Sequence, residues 1–114
     1  MHELSVALAL VEEVRAVLLK ESAQELRAVT VAVGVLSGVD ADALSFCFSL
    51  AIEGTPLQGA CLYTKEVALL LRCQECGAES QPEEVYWIRC QRCGSGSVEI
   101  LGGHELILHS LEVG

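Results

Sequence analysis

The chain has 114 residues, of which 52% are hydrophobic and 20% are charged, and its formal net charge is −9 at pH 7. This length suits one domain with a small metal-stabilised module, and the hydrophobic fraction excludes an intrinsically disordered chain. Because phosphate backbones and anionic lipid surfaces repel a strongly acidic protein, the charge disfavours general binding of nucleic acids or membranes.

The first predicted element is a helix over residues 4–20, since its apolar residues recur at three- and four-residue steps: Leu4, Ala7, Leu8, Val11, Val14 and Leu18. The continuous apolar stretch at its start covers only residues 4–11, which is too short to cross a bilayer. Glu3 stands where a secretory signal would carry basic residues. We therefore expect a cytoplasmic protein without a membrane segment.

Strands and a second helix are predicted after the first helix. Residues 28–36 alternate valine with small residues, which is typical of a strand with both faces covered. Asp40 can cap a second helix, which ends at Gly54. Residues 60–70 and 105–113 have strand character. The predicted fold class is α+β, with two helices packed on a small three-stranded sheet and an inserted zinc-ribbon domain that carries four cysteine ligands.

The segment that holds two cysteine pairs lies between the last two predicted strands. A strand enters this segment and a strand leaves it, so we expect a module inserted into the main domain. The predicted main domain is 1–66 plus 103–114, and the predicted zinc-ribbon domain is 67–102.

Cys73 and Cys76 form one C-x-x-C pair, Cys90 and Cys93 form a second, and thirteen residues separate them. Paired motifs of this kind in a reducing compartment indicate a metal site rather than disulfides. Four thiolates make a closed tetrahedral site without an open position, which predicts structural Zn(II). Iron in a rubredoxin-like site is the main alternative, because sulfur-only tetrahedra accept both metals, and a dithiol redox pair is a weaker one.

Residues outside these pairs are given structural roles. Val85, Trp87 and Ile88 are expected to pack around the two cysteine turns. Cys47 and Cys61 are expected to be buried free cysteines. His109 is assigned no role, and His104 has a structural placement as its first interpretation and an extra metal ligand as its second.

The chain opens with Met-His-Glu. A free α-amine, the amide nitrogen of His2 and its Nδ1 atom can chelate one ion in a plane, which suits Ni(II) or Cu(II). The fourth ligand could be the amide nitrogen of Glu3, its carboxylate, or a side chain that the fold brings near. We expect Met1 to be retained, because the residue after it is large. From these three residues alone, a solvated histidine at a helix start is the commoner case.

Four stretches carry a resemblance to one family: MHELS at 1–5, LSGVDADAL at 36–44, the CQEC and CQRC pairs, and GHELILHSLEV at 103–113. Their order and spacing, with the total length, resemble the hydrogenase nickel-insertion accessory proteins HypA and HybF over essentially the whole chain. One departure is Val35, where the family usually has a glutamate before LSGV. A role for that acid in partner docking or metal relay is therefore in doubt here.

The resemblance implies a nickel domain of helices on a small sheet, with a zinc ribbon attached. It implies Ni(II) centred on His2, with the Met1 backbone nitrogen and Glu3 contributing and Asp40 close by. It also implies structural Zn(II) on the four paired cysteines, Cys73, Cys76, Cys90 and Cys93. The implied partners are the GTPase HypB, the precursor of a [NiFe]-hydrogenase large subunit and, in some bacteria, urease maturation proteins.

These expectations describe a nickel metallochaperone, not a catalyst, which acts as a monomer or weak homodimer and passes Ni(II) on by ligand exchange. A nucleic-acid-binding zinc ribbon is the rival binding module, but residues 67–102 hold three arginines against five glutamates, without a basic stripe. A small hydrolase or oxidoreductase is the rival enzyme, but the sequence has no nucleophile–base pairing, phosphate loop or open metal site.

Overall fold

The structure is a computed structural model and describes residues 3–21, 25–83, 85 and 87–114. Its helices are α1 (Glu3–Lys20) and α2 (Ala41–Ile52). Its strands are β1 (Leu26–Gly34), β2 (Cys61–Val67), β3 (Leu70–Cys73), β4 (Glu79–Ser80), β5 (Val98–Gly102) and β6 (Leu106–Val113). The predicted helices and the predicted first and last strands are confirmed, with ends that differ by a few residues. The segment predicted as one strand over 60–70 instead ends at Val67 as β2, and Leu70 begins β3 in a different sheet.

The described strands form two three-stranded sheets, one in the order β2-β1-β6 and the other in the order β4-β3-β5. Two helices with one small sheet, together with a cysteine-bearing second sheet, confirm the predicted fold class. Among the described residues, neither helix is long and apolar enough to cross a membrane.

The described residues divide into two compact units. Unit 1 comprises those within Met1–Ala32, Gly38–Lys65 and Ile107–Gly114, and unit 2 comprises those within Val33–Ser37 and Glu66–Leu106. Compactness does not by itself establish independent folding. The predicted domain division, 1–66 plus 103–114 against 67–102, therefore stays a prediction.

Unit 1 is organised around the contact between α1 and α2. The buried side chains of α1 recur at helical spacing, so they form one stripe: Ala7, Leu10, Val11 and Val14. The buried side chains of α2 recur every four residues: Leu44, Phe48 and Ile52. The middle of β1 adds Val29 and Val31, which are fully buried. The core of unit 1 is therefore built from aliphatic residues and one phenylalanine.

Unit 2 is built on β3, which pairs antiparallel with β4 on one side and with β5 on the other. Leu69 and Leu71, each 1% exposed, are the main aliphatic side chains of its interior. The register places Cys73 opposite Val98, at the end of β3 where the first cysteine turn begins. The sheet of unit 2 therefore anchors one side of the cysteine cluster.

A close backbone approach in unit 2 depends on glycine. The N–H of Gly34 donates to the carbonyl oxygen of Glu105 at 2.7 Å, and the N–H of Leu36 donates to that of Gly103 at 2.6 Å. A Cβ atom on Gly34 would lie 2.2 Å from the Gly103 carbonyl oxygen. Gly103 itself has a φ of 110°, a conformation that other residues rarely adopt.

Two predictions of burial are wrong. Trp87 is 64% exposed, because its ring lies in solvent beneath the guanidinium of Arg89, 4.6 Å from the ring centroid. Cys61 is exposed, since it begins β2, an edge strand whose side chains mostly face solvent. Cys47 is only partly buried in α2. Val85 and Ile88 are half-buried.

Candidate metal centre

The two cysteine pairs come together in unit 2. The sulfur atoms of Cys73, Cys76, Cys90 and Cys93 all lie within 4.8 Å of one another. The Sγ atoms of Cys73 and Cys93 are 3.6 Å apart, as are those of Cys76 and Cys90. Four thiolates at about 2.3 Å from one tetrahedral ion would lie roughly 3.8 Å apart. The cluster therefore has the size that a single four-coordinate zinc-type ion requires.

Each cysteine pair is held by one tight turn. In the first turn, the N–H groups of Glu75 and Cys76 each donate to the Sγ of Cys73 at 3.4 Å. The N–H of Gly77 closes the turn by donating to the Cys73 carbonyl oxygen at 3.0 Å, with a φ of 77°. Glycine is favoured at this position because a side chain would be strained at that angle.

The second turn repeats this geometry. The N–H groups of Arg92 and Cys93 each donate to the Sγ of Cys90 at 3.4 Å, and the N–H of Gly94 donates to the Cys90 carbonyl oxygen at 3.0 Å. Gly94 has a φ of 78°. Two equivalent turns that face each other present four sulfur atoms, whereas a dithiol redox centre needs only one pair.

The backbone donors favour thiolates at the first cysteine of each turn. The N–H of Cys93 lowers the pKa of Cys90 to about 6, and the N–H of Cys76 lowers the pKa of Cys73. At Cys93, the N–H of Ser95 favours the thiolate, but the neighbouring sulfur of Cys73 and burial outweigh it and raise the pKa to about 12. Four adjacent thiolates repel one another, so a bound cation is what allows all four to ionise together.

A second polar arrangement lies in unit 1, where α1 and α2 begin. The Oε2 atom of Glu3 accepts a hydrogen bond from the backbone N–H of Asp40 at 3.1 Å. Asp40 caps α2, since its Oδ1 atom accepts from the N–H groups of Asp42 and Ala43 at 2.9 and 3.1 Å. The N–H of Asp40 lowers the pKa of Glu3, so this carboxylate stays ionised. The sequence singled out both residues but gave no sign of the hydrogen bond between them.

The remaining residues considered as metal ligands are the amino-terminal residues and two histidines near the carboxyl end. Met1 and His2 lie outside the described residues. His104 and His109 are exposed, and neither joins a group of potential ligands in the described part of the chain. The described residues therefore offer one closed sulfur cluster. Separately, they offer the Glu3 carboxylate, which follows His2 in the sequence and accepts a hydrogen bond from the backbone N–H of Asp40.

A family model described as "Hydrogenase/urease nickel incorporation, metallochaperone, hypA" matches residues 1–113. The chain belongs to the HypA family. The predicted resemblance is confirmed, and the family's role makes the protein a nickel metallochaperone of hydrogenase or urease maturation rather than an enzyme.

Relatives named hydrogenase maturation factor HypA match nearly the whole chain. The protein from Streptomyces avermitilis is 42% identical over 117 residues, which cover 97% of this chain and 86% of that protein. The protein from Chloroflexus aurantiacus is 40% identical over 112 residues, which cover 98% of this chain and 98% of that protein. The protein from Chlorobaculum parvum is 34% identical and covers 99% of each chain.

A solved HypA structure has the same fold. The solution structure of the nickel metallochaperone HypA from Helicobacter pylori superimposes with a TM-score of 0.73 and 28% identity, covering 99% of this chain and 97% of that one. A second solution structure of a HypA protein gives a TM-score of 0.74 at 28% identity, covering 99% of this chain and 96% of that one.

Proposed function

We propose that this HypA protein binds Ni(II) at its amino terminus and delivers it to the precursor of a [NiFe]-hydrogenase large subunit. The proposed ligands are the backbone nitrogen of Met1, the backbone and imidazole nitrogens of His2, and a carboxylate from Glu3 or Asp40. The single observation that carries this assignment is the hydrogen bond between Glu3 and Asp40. It supports the assignment because it links Asp40 to Glu3, the residue that directly follows His2 in the sequence.

Asp40 could serve as a cap and as a ligand at once. Its cap hydrogen bonds use Oδ1, so Oδ2 can face a metal ion. Glu3 is already ionised because its pKa is lowered, so it does not have to lose a proton before it binds. A chelate made of terminal nitrogens and exposed carboxylates is accessible, and an incoming thiolate or histidine of an acceptor protein can displace its ligands one at a time.

We propose that Cys73, Cys76, Cys90 and Cys93 hold structural Zn(II). When bound, the zinc would link the two turns and supply folding free energy rather than take part in nickel transfer. The proposed zinc-ribbon domain is 67–102, and the proposed nickel domain is 1–66 plus 103–114. The proposed setting is the cytoplasm, as a monomer or weak homodimer, with HypB and, in a urease-containing organism, urease maturation proteins as further partners.

The test of the nickel site is a calorimetric titration of Ni(II) into zinc-loaded protein with any tag at the carboxyl end. Intact-mass and amino-terminal analysis must first confirm that the chain starts at a free Met1, since the chelate needs its amine. His2→Ala should weaken binding by more than about a hundredfold. His109→Ala removes an exposed histidine from β6 and is the matched control. Equal binding by wild type and His2→Ala would overturn the site.

Delivery is tested by a separate measurement. Nickel-loaded wild type and His2→Ala are each mixed with the purified apo-precursor of the large subunit, and the nickel content of the re-isolated precursor is measured. Transfer from the wild type should exceed release into buffer that contains a competing chelator. If the precursor gains no more nickel from the protein than from free Ni(II) at the same activity, the delivery role is wrong even when the binding site is right.

A further inference from the structure

The outer face of α2 is unusual for a surface helix. The buried stripe of α2 is centred on Phe48, which is 1% exposed. Phe46 and Leu50 lie two positions to either side, about 200° around the helix axis from it. They are 65% and 49% exposed. The face turned away from the core is therefore apolar as well.

The exposed apolar residues follow a regular spacing. Ala43, Phe46, Cys47 and Leu50 occupy positions i, i+3, i+4 and i+7, which is the seam by which one helix packs against another. We call these four residues the α2 seam. Ala43 and Cys47 are half-buried at its edge. The seam runs along most of a helix that is roughly 18 Å long.

Polar groups do not interrupt the seam. The sequence carries no charged residue between Asp42 and Glu53. The nearby hydroxyl of Ser49 donates to the carbonyl oxygen of Phe46 at 2.7 Å, so its hydrogen is used within the helix itself. On α1, by contrast, the exposed charged residues Glu12, Glu13 and Arg15 separate the exposed leucines of its first half from Leu19. A helix that is apolar on both faces normally has both faces covered.

The acidic residues at the two ends of α2 indicate the charge of the partner that would pack on the α2 seam. Asp42 lies at the amino end and Glu53 follows the carboxyl end, and both are exposed. A second copy would bring acid against acid whether the two helices ran parallel or antiparallel, and each chain already carries a net charge of −9. A partner helix with an apolar stripe flanked by lysine or arginine would instead be attracted at both ends.

We propose that the α2 seam is a docking surface for an amphipathic, basic helix of a partner protein. A seam of four residues is much smaller than the roughly 800 Å² that each side of a stable interface buries. The contact is therefore a transient one, with Phe46 as its aromatic anchor. It does not depend on the nickel site, and its test uses zinc-loaded, nickel-free protein.

The probe is a fluorescein-labelled helical peptide of about 18 residues with leucine at the a and d positions and lysine or arginine at e and g. Fluorescence anisotropy should give a Kd of roughly 10–100 µM for wild type. Phe46→Ala should weaken binding at least about tenfold, and Leu50→Ala should weaken it in the same direction. Leu19→Ala is the matched control, because Leu19 is 83% exposed on α1 and should leave the Kd unchanged.

Two further peptides separate a docked helix from plain charge attraction. One carries glutamate in place of every basic residue, and the other keeps the charges but scrambles the leucines; each should bind at least about tenfold more weakly. The proposal is overturned if the scrambled peptide binds as well as the first, or if Phe46→Ala binds like wild type. It is also overturned if sedimentation reveals a dimer of the chain that Phe46→Ala abolishes, since the occupant is then a second copy.

Discussion

The backbone N–H of Asp40 and the carboxylate of Glu3 are joined by a hydrogen bond of 3.1 Å, although 37 positions separate the two residues. Both residues stand at helix starts, where carboxylates interact favourably with the positive end of the helix dipole. Asp40 satisfies the first free N–H groups of α2, and Glu3 satisfies the N–H of Asp40. The residue that caps α2 and the residue whose carboxylate accepts from its N–H are therefore the same two residues that the proposed nickel site uses.

Substitutions at Asp40 should separate capping from nickel binding. Asparagine caps helices as well as aspartate does, so Asp40→Asn should leave the free energy of unfolding almost unchanged, while Asp40→Ala should cost about 1 kcal/mol. If the Asp40 carboxylate is a ligand, both variants should lose nickel affinity. Urea denaturation followed by far-ultraviolet circular dichroism, together with nickel calorimetry, measures the two effects. An Asp40→Asn protein that binds nickel like wild type would limit Asp40 to its capping role.

The pH dependence of nickel binding should be set by the terminal nitrogens rather than by Glu3. The ordinary pKa values of an α-amine and an imidazole are about 7.7–8.0 and about 6.5, so protons compete with nickel as the pH falls from 8 to 6. The N–H of Asp40 lowers the pKa of Glu3 from 4.5, so its carboxylate stays ionised throughout this range. Glu3→Gln should therefore weaken nickel binding by the same factor at each pH, roughly tenfold.

Nickel dissociation constants at pH 8, 7 and 6 for wild type and Glu3→Gln measure this factor. The two curves should run parallel. If the ratio of the two constants falls towards one as the pH approaches 6, then Glu3 is being protonated in this range. That result would contradict the lowered pKa of its carboxyl group.

Gly34 should tolerate no side chain. The Cβ of Gly34→Ala would lie 2.2 Å from the carbonyl oxygen of Gly103 and 2.7 Å from the backbone nitrogen of Glu105, which are backbone atoms that cannot rotate away. We expect a loss of about 2 kcal/mol or more in the free energy of unfolding. Gly96→Ala is the matched control, since a Cβ there meets no atom within 4 Å, and its effect should stay within about 0.5 kcal/mol. Equal melting temperatures for the two variants would contradict the close approach.

Most of the features that were predicted correctly are set by residues close together in the sequence. Ala7, Val11 and Val14, which the helical spacing placed on one face of α1, are buried, whereas Leu4 and Leu8 of the same predicted face are each 51% exposed. Asp40 caps α2 as predicted. The two C-x-x-C turns predicted a four-sulfur cluster because each turn fixes its own sulfur atoms and the following glycine. The helix face, the cap and each separate cysteine turn depend on neighbours a few residues away. The meeting of the two turns, which brings Cys73 within 3.6 Å of Cys93 across 20 positions, was predicted instead from the four ligands that a tetrahedral ion needs.

Other features that depend on distant neighbours were not predicted. The break between β2 and β3 arises because the two strands join different sheets, which the continuous strand character of 60–70 does not reveal. Trp87 and Cys61 were assigned to the interior from residue type alone, whereas a cation above the indole and an edge-strand position leave them exposed. The exposure of Phe46 was missed for the same reason, since an apolar residue in an apolar helix has no local signal of which side is covered.

Removal of one ligand should unfold the cysteine cluster without melting the helices. Cys90→Ser replaces a thiolate that is 1% exposed and accepts two backbone hydrogen bonds, so the serine variant should bind zinc far more weakly. Structural zinc contributes on the order of 10 kcal/mol to the folding of small zinc modules. Both α1 and α2 belong to unit 1, so the helical signal in circular dichroism should persist while proteases cut within 67–102.

Cys61→Ser is the matched control, because Cys61 is a free, exposed cysteine outside the cluster and its loss should leave one zinc per chain by elemental analysis. If Cys90→Ser keeps a full equivalent of zinc, the four-thiolate assignment is wrong; if it loses its helices as well, the two units do not fold separately.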